Sequence, residues 1–369
     1  MIFPPGDRLW SGAPRLFPGI ILAFSGQTER KEEMNMAMTP RENALTALEH
    51  RVPERIVNLL KDANMLATYI LAERAPAVPG RPYGSDGVDW FGVHWKYEEV
   101  SGAPMVDPNY PPMMDDITEW ETVVKFPDLS KYDFKAEAEK ELNSPMYDPD
   151  KLNQVTIMQG PFERLLSLMS TEDALCALLM EPEACAAFFN RVADHKIELI
   201  DRLAEAYPID LIDLHDDWGT QKSTFMSVDT WKELLAEPMG RIIRHGKEKG
   251  IHIQVHSCGK IEPLLPEMIA IGLEHWSSCQ GMNNIPTIVH TYGDRMTFFG
   301  CMDTPEVQAR GVTQEEIDRL TAERIDLICR GGAVFPLGNS TVPGLRAAVD
   351  KALAEREDFF TKPENRVLP

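Results

Sequence analysis

Basic residues are scarce in this chain of 369 residues. Lys and Arg together number 37, against 58 Asp and Glu, so the formal net charge is −21 at pH 7. Proteins that bind nucleic acids need Lys and Arg to displace the counterions around the phosphates. The charge therefore argues against a nucleic-acid partner, and it makes a polyanionic substrate less suitable.

Long hydrophobic runs are also missing. No apolar segment of the sequence approaches the ~20 residues that a membrane helix needs, so we expect no membrane partner. The segment closest to one, "LFPGIILAFSG" at 16–26, is interrupted by Pro18 and Gly19. We expect residues 1–38 to form a poorly structured N-terminal extension and residues 39–369 to form a single domain.

Cysteines are too few for a disulfide scaffold, and familiar nucleophile motifs are absent. The six cysteines are Cys176, Cys185, Cys258, Cys279, Cys301 and Cys329. Free thiols in a reducing cytoplasm are the expectation for such a chain. The sequence contains neither GxSxG nor a papain-like cysteine signature, so it does not suggest a hydrolase.

Short β-prone runs alternate with amphipathic helical stretches in the second half of the chain. The runs lie at 154–160, 210–219, 251–259, 273–280, 296–303 and 333–340. Strands that alternate with helices indicate a parallel sheet. The sheet either stays open and doubly wound or closes into a barrel.

Polar residues at the ends of many runs favour the barrel, because every barrel strand delivers its C-terminal end to one mouth. No run is followed by GxGxxG or GxxxxGK[ST], which weakens the nucleotide-binding form of the open sheet. We therefore predict an α/β fold, a (β/α)8 TIM barrel. Thr39, Pro40 and Glu42 predict its first helix, and residues 75–150, rich in Pro, Gly, Asp and Tyr, predict a loop-rich insertion over the mouth.

The stretch "VHSCGK" at 255–260 is the strongest candidate for a metal site. Residues i and i+2 of a strand face the same side, so His256 and Cys258 can both reach one cavity. Imidazole and thiolate ligands suit zinc, and a catalytic zinc takes three protein ligands. Cys301 is our first candidate for the third ligand and Cys279 the second, with Asp216 or Asp217 as alternative oxygen ligands.

Other polar and aromatic residues are candidates for catalysis and substrate binding. The run "HDDWGTQ" at 215–221 supplies the candidate catalytic group. Adjacent strand residues point opposite ways, so we expect one of its two carboxylates to face the pocket and the other to cap a helix or lie on the surface. The candidate catalytic residues are His215, Asp216 and Asp217, and the candidate substrate-binding residues are Gln159, Gln280, Trp90, Phe91 and Asn339.

Several segments together resemble the uroporphyrinogen decarboxylase superfamily, and its methyltransferase branch more than the decarboxylase itself. They are "HDDWGTQ", "HSCGKIEPLLPEMIAIGLEHW", "GDRMTFFGCMDT" and "AVFPLGNSTVPGLRAAVDKALAE", with "TPRENALTALEHRVPERI" near the start. The resemblance covers about residues 39–357. It implies a (β/α)8 barrel with its site at the strand C-termini.

The methyltransferase branch implies zinc held by an HxC pair, matched here by His256 and Cys258, and a methyl group exchanged with the corrinoid (cobalamin) of a partner protein. The family's later cysteine belongs on the last strand, but that segment here reads "FPLGNST". Cys301 or a carboxylate must then complete the site, unless the zinc is lost.

The leading hypothesis is an O-demethylase-type methyltransferase that acts on a small methyl donor such as a methoxylated aromatic. A cofactor-free decarboxylase is the first alternative, and a non-catalytic paralogue that binds a corrinoid protein or a tetrapyrrole is the second. The decarboxylases bind carboxylates through an N-terminal arginine motif, whereas "VNLLKDANM" follows Arg55 here. A homodimer is an oligomeric state that the sequence allows.

Overall fold

A computed structural model describes residues 37–74, 86–99, 103–338 and 341–369. Apart from Ala37 and Met38, the predicted N-terminal extension lies outside these residues. Asn339, a predicted substrate-binding residue, lies outside them too. In the described part of the chain, no helix is both long and apolar enough to cross a membrane.

Seven parallel strands form the main sheet of the described residues. In sheet order they are β1 (Ala63–Leu66), β5 (Leu152–Ile157), β6 (Leu211–His215), β7 (His252–His256), β8 (His275–Cys279), β9 (Thr297–Cys301) and β10 (Val334–Leu337). Each strand pairs with the next in chain order, and helices connect most of them, as a TIM-barrel-like fold requires. All six predicted runs are confirmed as strands, whereas β1 was not predicted.

The sheet departs from a closed eight-stranded barrel between β10 and β1, where no ladder joins the described strands. Residues 53–58 occupy this position: Pro53 packs against Gly332, just before β10. The backbone N–H groups of 54 and 55 bond to a side chain instead of to a neighbouring strand. Asn43 accepts from the Glu54 and Arg55 N–H groups at 2.9 and 3.0 Å. The eighth position is therefore filled by an irregular segment.

Helices cover the outside of the sheet. Their bounds are α1 (Pro40–Leu48), α2 (Leu59–Asp62), α3 (Trp120–Val123), α4 (Phe134–Leu142), α5 (Pro161–Leu168), α6 (Thr171–Met180), α7 (Pro182–Ala206), α8 (Val228–Leu234), α9 (Ala236–Glu248), α10 (Leu265–Ala270), α11 (Ile285–Tyr292), α12 (Gln314–Ile328) and α13 (Leu345–Ala354). The predicted start of α1 is confirmed, because Thr39 and Glu42 form a reciprocal capping box with Pro40 in the first turn.

Helix α1 covers the N-terminal end of the strands. Its apolar residues join a separate cluster with residues near the strand starts: Ala44, Ala47, Leu48, Val57, Leu152, Leu211, Phe299 and Phe335. Each large side chain buried here contributes roughly 1.5–3 kcal/mol relative to exposure. Arg41 adds a two-pronged ion pair with Asp210, just before β6. This cluster thus fills the N-terminal end of the strands, opposite the C-terminal ends at which barrel proteins build their sites.

The predicted insertion contains short strands and helical turns. A three-stranded antiparallel sheet forms from β2 (Gly87–Val88), β3 (His94–Glu98) and β4 (Ala103–Val106). Two buried ion pairs fix it and the preceding turn to the barrel helices: Asp89 bonds Arg164 of α5 at 2.8 Å, and Glu73 bonds Lys196 of α7 at 2.5 Å. The insertion therefore packs firmly against the barrel.

Candidate metal centre

The site begins where β6 and β7 end side by side. These parallel strands pair in register, with His215 opposite His256. The segment after β6 carries Asp217, and the segment after β7 carries Cys258. Because parallel strands deliver their C-terminal ends to one edge, two stretches far apart in sequence meet here.

Three potential ligands converge at this edge. The Cys258 Sγ lies 3.4 Å from His256 Nε2. The Cys258 backbone N–H donates to Asp217 Oδ1 at 2.6 Å, which holds the carboxylate beside the thiol. One ligand atom from each of Asp217, His256 and Cys258 lies within 4.8 Å of the other two. The three side chains could thus hold one metal ion together.

A second group of potential ligands, Asp213, His215 and His256, shares one histidine with the first. It suits a single ion less well. The His215 and His256 rings stack with centroids 3.8 Å apart and planes 8° apart, so their in-plane lone pairs run nearly parallel instead of converging on one point. Asp213 Oδ1 also accepts from Gln254 and Ser277, at 2.6 and 2.9 Å.

The charges around the first group suit a bound cation. Burial and His215 lower the pKa of His256 to about 4, so this imidazole is neutral and able to bind a metal. Burial and the negative Asp217 raise the pKa of the Cys258 thiol. Burial and Asp217 also raise the pKa of Glu163. A divalent cation reverses these penalties, because a coordinated thiol loses its proton.

The two adjacent carboxylates of the predicted catalytic run, Asp216 and Asp217, point in different directions, as expected for neighbours at a strand end. Asp216 is fully buried and turns towards α5, where it accepts from the Glu163 N–H at 2.8 Å. It also accepts from the Trp218 indole at 2.8 Å. Burial and Glu163 raise the pKa of Asp216 to about 8. Asp217 alone of the two joins the metal-ligand group.

His215 lies beside the first ligand group, where its ring stacks on that of His256. Its Nε2 is 3.5 Å from Asp213 Oδ2. Burial lowers the pKa of His215, but the hydrogen bond and charge of Asp213 outweigh burial, and the net shift is upward. The Asp213 carboxylate therefore favours the protonated form of His215, whose ring stacks on that of His256.

Cys301 and Cys279 are in neither ligand group. Both are fully or almost fully buried on neighbouring strands. Burial and contact with Cys301 raise the pKa of the Cys279 thiol. The structure thus brings Asp217 to the HxC pair, which is the carboxylate alternative, and does not bring Cys301 there. A cysteine at the end of β9 was a reasonable expectation, but its side chain packs against a neighbouring thiol.

The two glutamines predicted to bind substrate have different surroundings. Gln159 follows β5 in a left-handed conformation, with φ +58. Its Nε2 lies 3.4 Å from Glu163 Oε2, and its buried Oε1 has no partner among the described residues. Gln280 Oε1 accepts from the Gly259 N–H at 2.7 Å and so supports the loop after Cys258. Gln159 is better placed to bind a ligand.

The predicted aromatic residues of the insertion pack against other side chains. Trp90 is half-buried and stacks on Tyr132 at 4.4 Å. Phe91 is 4% exposed, and the Arg164 guanidinium lies 3.9 Å above its ring. A substrate-covering role is still a prediction for both, and Phe91 has little surface left for it.

Sequence reasoning missed Asp213, Ser278 and Arg74. Asp213 was accessible to it, because it lies two residues before His215 and so faces the same side of β6. Ser278 was not, since its Oγ reaches Cys258 Sγ at 3.1 Å only through an irregular strand. Arg74 has a buried Nε without a partner among the described residues, and its charge acts on Glu163 and Asp217.

Comparisons with known proteins agree on the fold. The family model described as Uroporphyrinogen decarboxylase (URO-D) matches residues 88–356. A solved methyltransferase from Methanosarcina mazei is similar over 88% of this chain and 100% of its own, at 17% identity and a TM-score of 0.62.

A more distant structure is the dihydropteroate synthase from Anaplasma phagocytophilum with bound 6-hydroxymethylpterin-monophosphate. It covers 48% of this chain and 70% of its own, at 15% identity and a TM-score of 0.33, which is too low to inform the fold. No curated protein matches the chain.

Proposed function

The chain belongs to the uroporphyrinogen decarboxylase (URO-D) family, and from that premise we propose that it is a methyltransferase with a zinc site at the mouth of its barrel. The observation that carries the proposal is the convergence of Asp217, His256 and Cys258 within 4.8 Å. The methyltransferase from Methanosarcina mazei with the same fold supports the reaction class. We propose residues 39–369 as the catalytic domain.

The three ligands fit zinc by their chemistry. Oxygen, nitrogen and sulfur are all ligands that zinc accepts, and three protein ligands leave one position open for substrate. Bound there, zinc would act as a Lewis acid towards the ether oxygen of a methyl donor. Cys301, our first candidate from the sequence, is replaced by Asp217 in this assignment.

The chain's own residues would handle the proton and the donor. When a methyl group leaves an aryl ether, the remaining oxygen must gain a proton. His215 lies beside the ligand group, Asp213 favours its protonated form, and it is our candidate donor. Asp216 is fully occupied by N–H donors from α5 and Trp218, so we assign it to holding the site together.

Gln159 is the proposed substrate-positioning residue. Its buried Oε1 lacks a partner among the described residues, and a buried acceptor without a partner costs roughly 1–3 kcal/mol. A phenolic hydroxyl would satisfy it. A small methoxylated aromatic that also carries a hydroxyl therefore fits the site better than a purely apolar ether.

We propose a corrinoid carried by a partner protein as the methyl acceptor, on the strength of the family resemblance. The site residues of this chain would then have to orient the methyl group outwards, towards that partner. The cofactor-free decarboxylase is the competing enzyme, and it requires neither zinc nor a corrinoid. Cytoplasmic location and a homodimer likewise stay predictions.

Zinc content, measured by elemental mass spectrometry on protein purified without chelator, is the first test. We expect about one zinc per wild-type chain, because the two ligand groups of the described residues share His256 and only the first suits a single ion well. Zinc should be lost in Cys258→Ala. Cys176→Ala removes an exposed cysteine and is the matched control. Methyl transfer from methoxylated phenols to a supplied corrinoid protein should follow the zinc content. Zinc-free wild type after zinc is supplied, or full activity without zinc, would contradict the proposal.

A further inference from the structure

Strand β8 is irregular where it passes the proposed metal site. Its pairing with β9 shifts register between Trp276 and Cys279. Ser278, within the shift, adopts φ +59, a left-handed conformation that non-glycine residues rarely take. Irregularities of this kind occur beside active sites, where they redirect a side chain.

The irregularity lets two consecutive serines face the same interior. Ser277 Oγ donates to Asp213 Oδ1 at 2.9 Å. Ser278 Oγ lies 3.1 Å from Cys258 Sγ. In a regular strand neighbouring side chains point to opposite faces, so only one of the two could do this. The irregular pairing of β8 therefore places a second hydroxyl, that of Ser278, beside the Cys258 thiol.

The surroundings of Cys258 explain what that hydroxyl could do. Asp217 and Glu163 are both acidic and oppose a negative charge on the sulfur. The backbone N–H of Cys258 is already engaged by Asp217. A hydroxyl at 3.1 Å can donate to a thiolate, and a hydrogen bond to a charged group contributes more than one between neutral groups.

We propose that Ser278 is a positioning residue that donates its O–H to the Cys258 thiolate and holds the sulfur in the metal-ligand group. This inference rests on the proposed zinc site, but it concerns a side chain outside the three ligands. It also gives a reason for the backbone strain, since a left-handed non-glycine residue costs of order 1–3 kcal/mol and persists where its surroundings demand it.

Two substitutions separate the hydroxyl from the strain. Ser278→Ala removes the hydroxyl and keeps the strained backbone, whereas Ser278→Gly removes both. We expect zinc affinity, measured by competition with a chromophoric chelator, to fall about tenfold or more in both variants, the usual range for lost partners of metal ligands. Ser278→Gly should fold at least as stably as Ser278→Ala, because glycine tolerates a positive φ, so weaker zinc binding in Ser278→Gly cannot come from added backbone strain.

Cobalt provides a spectroscopic signal that would not change if Ser278 only supported the fold. Replacement of zinc by Co²⁺ should give a thiolate-to-metal charge-transfer band in wild type, shifted or weakened in Ser278→Gly. Zinc affinity in Ser278→Gly within about twofold of wild type, well below the usual loss, would overturn the inference. The zinc site itself, and with it the proposed function, would still stand.

A measurement on the metal-free protein tests Ser278 even if wild type binds no zinc. Iodoacetamide alkylation of Cys258 at one fixed pH is followed by mass spectrometry, with the exposed Cys176 as internal reference. Loss of the donor should slow Cys258 severalfold relative to Cys176, because less thiolate is present. Greater access in the glycine variant would speed the reaction, so slowing has one cause. An unchanged or faster ratio overturns the inference.

Discussion

Substitutions of the two adjacent carboxylates, Asp217 and Asp216, should have different effects: the first on zinc affinity and the second on stability. Asp217 belongs to the ligand group and also accepts the Cys258 N–H. Asp217→Asn keeps an oxygen acceptor for that N–H but removes the anionic ligand. We expect zinc affinity to fall at least about tenfold, measured by chelator competition, with little change in the free energy of unfolding of the metal-free protein.

Asp216→Ala is predicted to lower the stability of the fold instead of directly removing a zinc ligand. It leaves the Glu163 N–H and the Trp218 indole N–H without their buried acceptor. An unsatisfied buried donor costs about 1–3 kcal/mol, so we expect the free energy of unfolding to drop by roughly 2–6 kcal/mol in urea titrations. Loss of zinc in Asp216→Ala at unchanged stability would show that the roles of the two carboxylates are reversed.

Sequence alone predicted the HxC pair but left its third ligand open between Cys301, Cys279 and a carboxylate. His256 and Cys258 are two apart on one strand, so periodicity was sufficient to pair them. Cys301 also ends a strand, but its left-handed φ of +67 and its contact with Cys279 keep it elsewhere. Backbone departures of this kind, at Gln159 and Ser278 as well, depend on neighbouring strands and leave no trace in a local pattern.

At the scale of elements, the insertion is held by buried charges whose removal should be costly. Lys196 of α7 bonds Glu73 Oε1 and the Met158 carbonyl, and all three groups are buried. Lys196→Met leaves the Glu73 carboxylate without its ammonium partner. Breaking one side of a buried pair costs about 3–5 kcal/mol, which we expect to see as a lower free energy of unfolding.

The double variant Glu73→Gln with Lys196→Met is the matched control for that pair. It removes both charges, so most of the lost stability should return in the same urea titration. A single Lys196→Met variant as stable as wild type would mean that the pair does not hold the insertion to α7.

The elements that sequence predicted well are those with local signals. Helix α1 has a capping box and Pro40, and the six later strands are short apolar runs between helices. Strand β1 was missed because it has only four residues and follows a four-residue helix without a break. What makes it a strand is pairing with β5, more than 80 residues away.

For the whole molecule, the barrel could be predicted because alternation repeats along the chain, whereas its closure could not. The eighth position depends on Asn43, which satisfies the backbone of 54–55 from another element. Once those groups have side-chain partners, a ladder to β10 or β1 offers them no further gain. Long-range satisfaction of backbone groups thus limits what a linear pattern can predict.

Acid should destabilise the whole fold through three histidines at the base of the barrel, His50, His252 and His275. His252 Nδ1 lies 3.1 Å from His275 Nε2, and His50 stacks on His275. Burial is the largest cause and lowers the pKa of all three, and another of these rings or Lys247 acts in the same direction on each. Glu274 and Asp294 partly oppose the shift at His50, and Glu274, Glu49 and Asp210 partly oppose it at His252.

The sign follows from these lowered pKa values. Above about pH 6.5 the three rings are neutral in both states, and their contribution is fully present. Below about pH 6.5 the three rings bind protons in the unfolded chain but not in the folded barrel. The free energy of unfolding therefore falls as the pH drops, by up to about 1.4 kcal/mol per pH unit for each ring. Urea titrations between about pH 7.5 and 5.5 should show this slope. His50→Asn should flatten this slope, and asparagine suits the φ of +56 at this position. His290→Asn lies outside the cluster and should leave the slope unchanged. Equal slopes in the two variants would contradict the assignment.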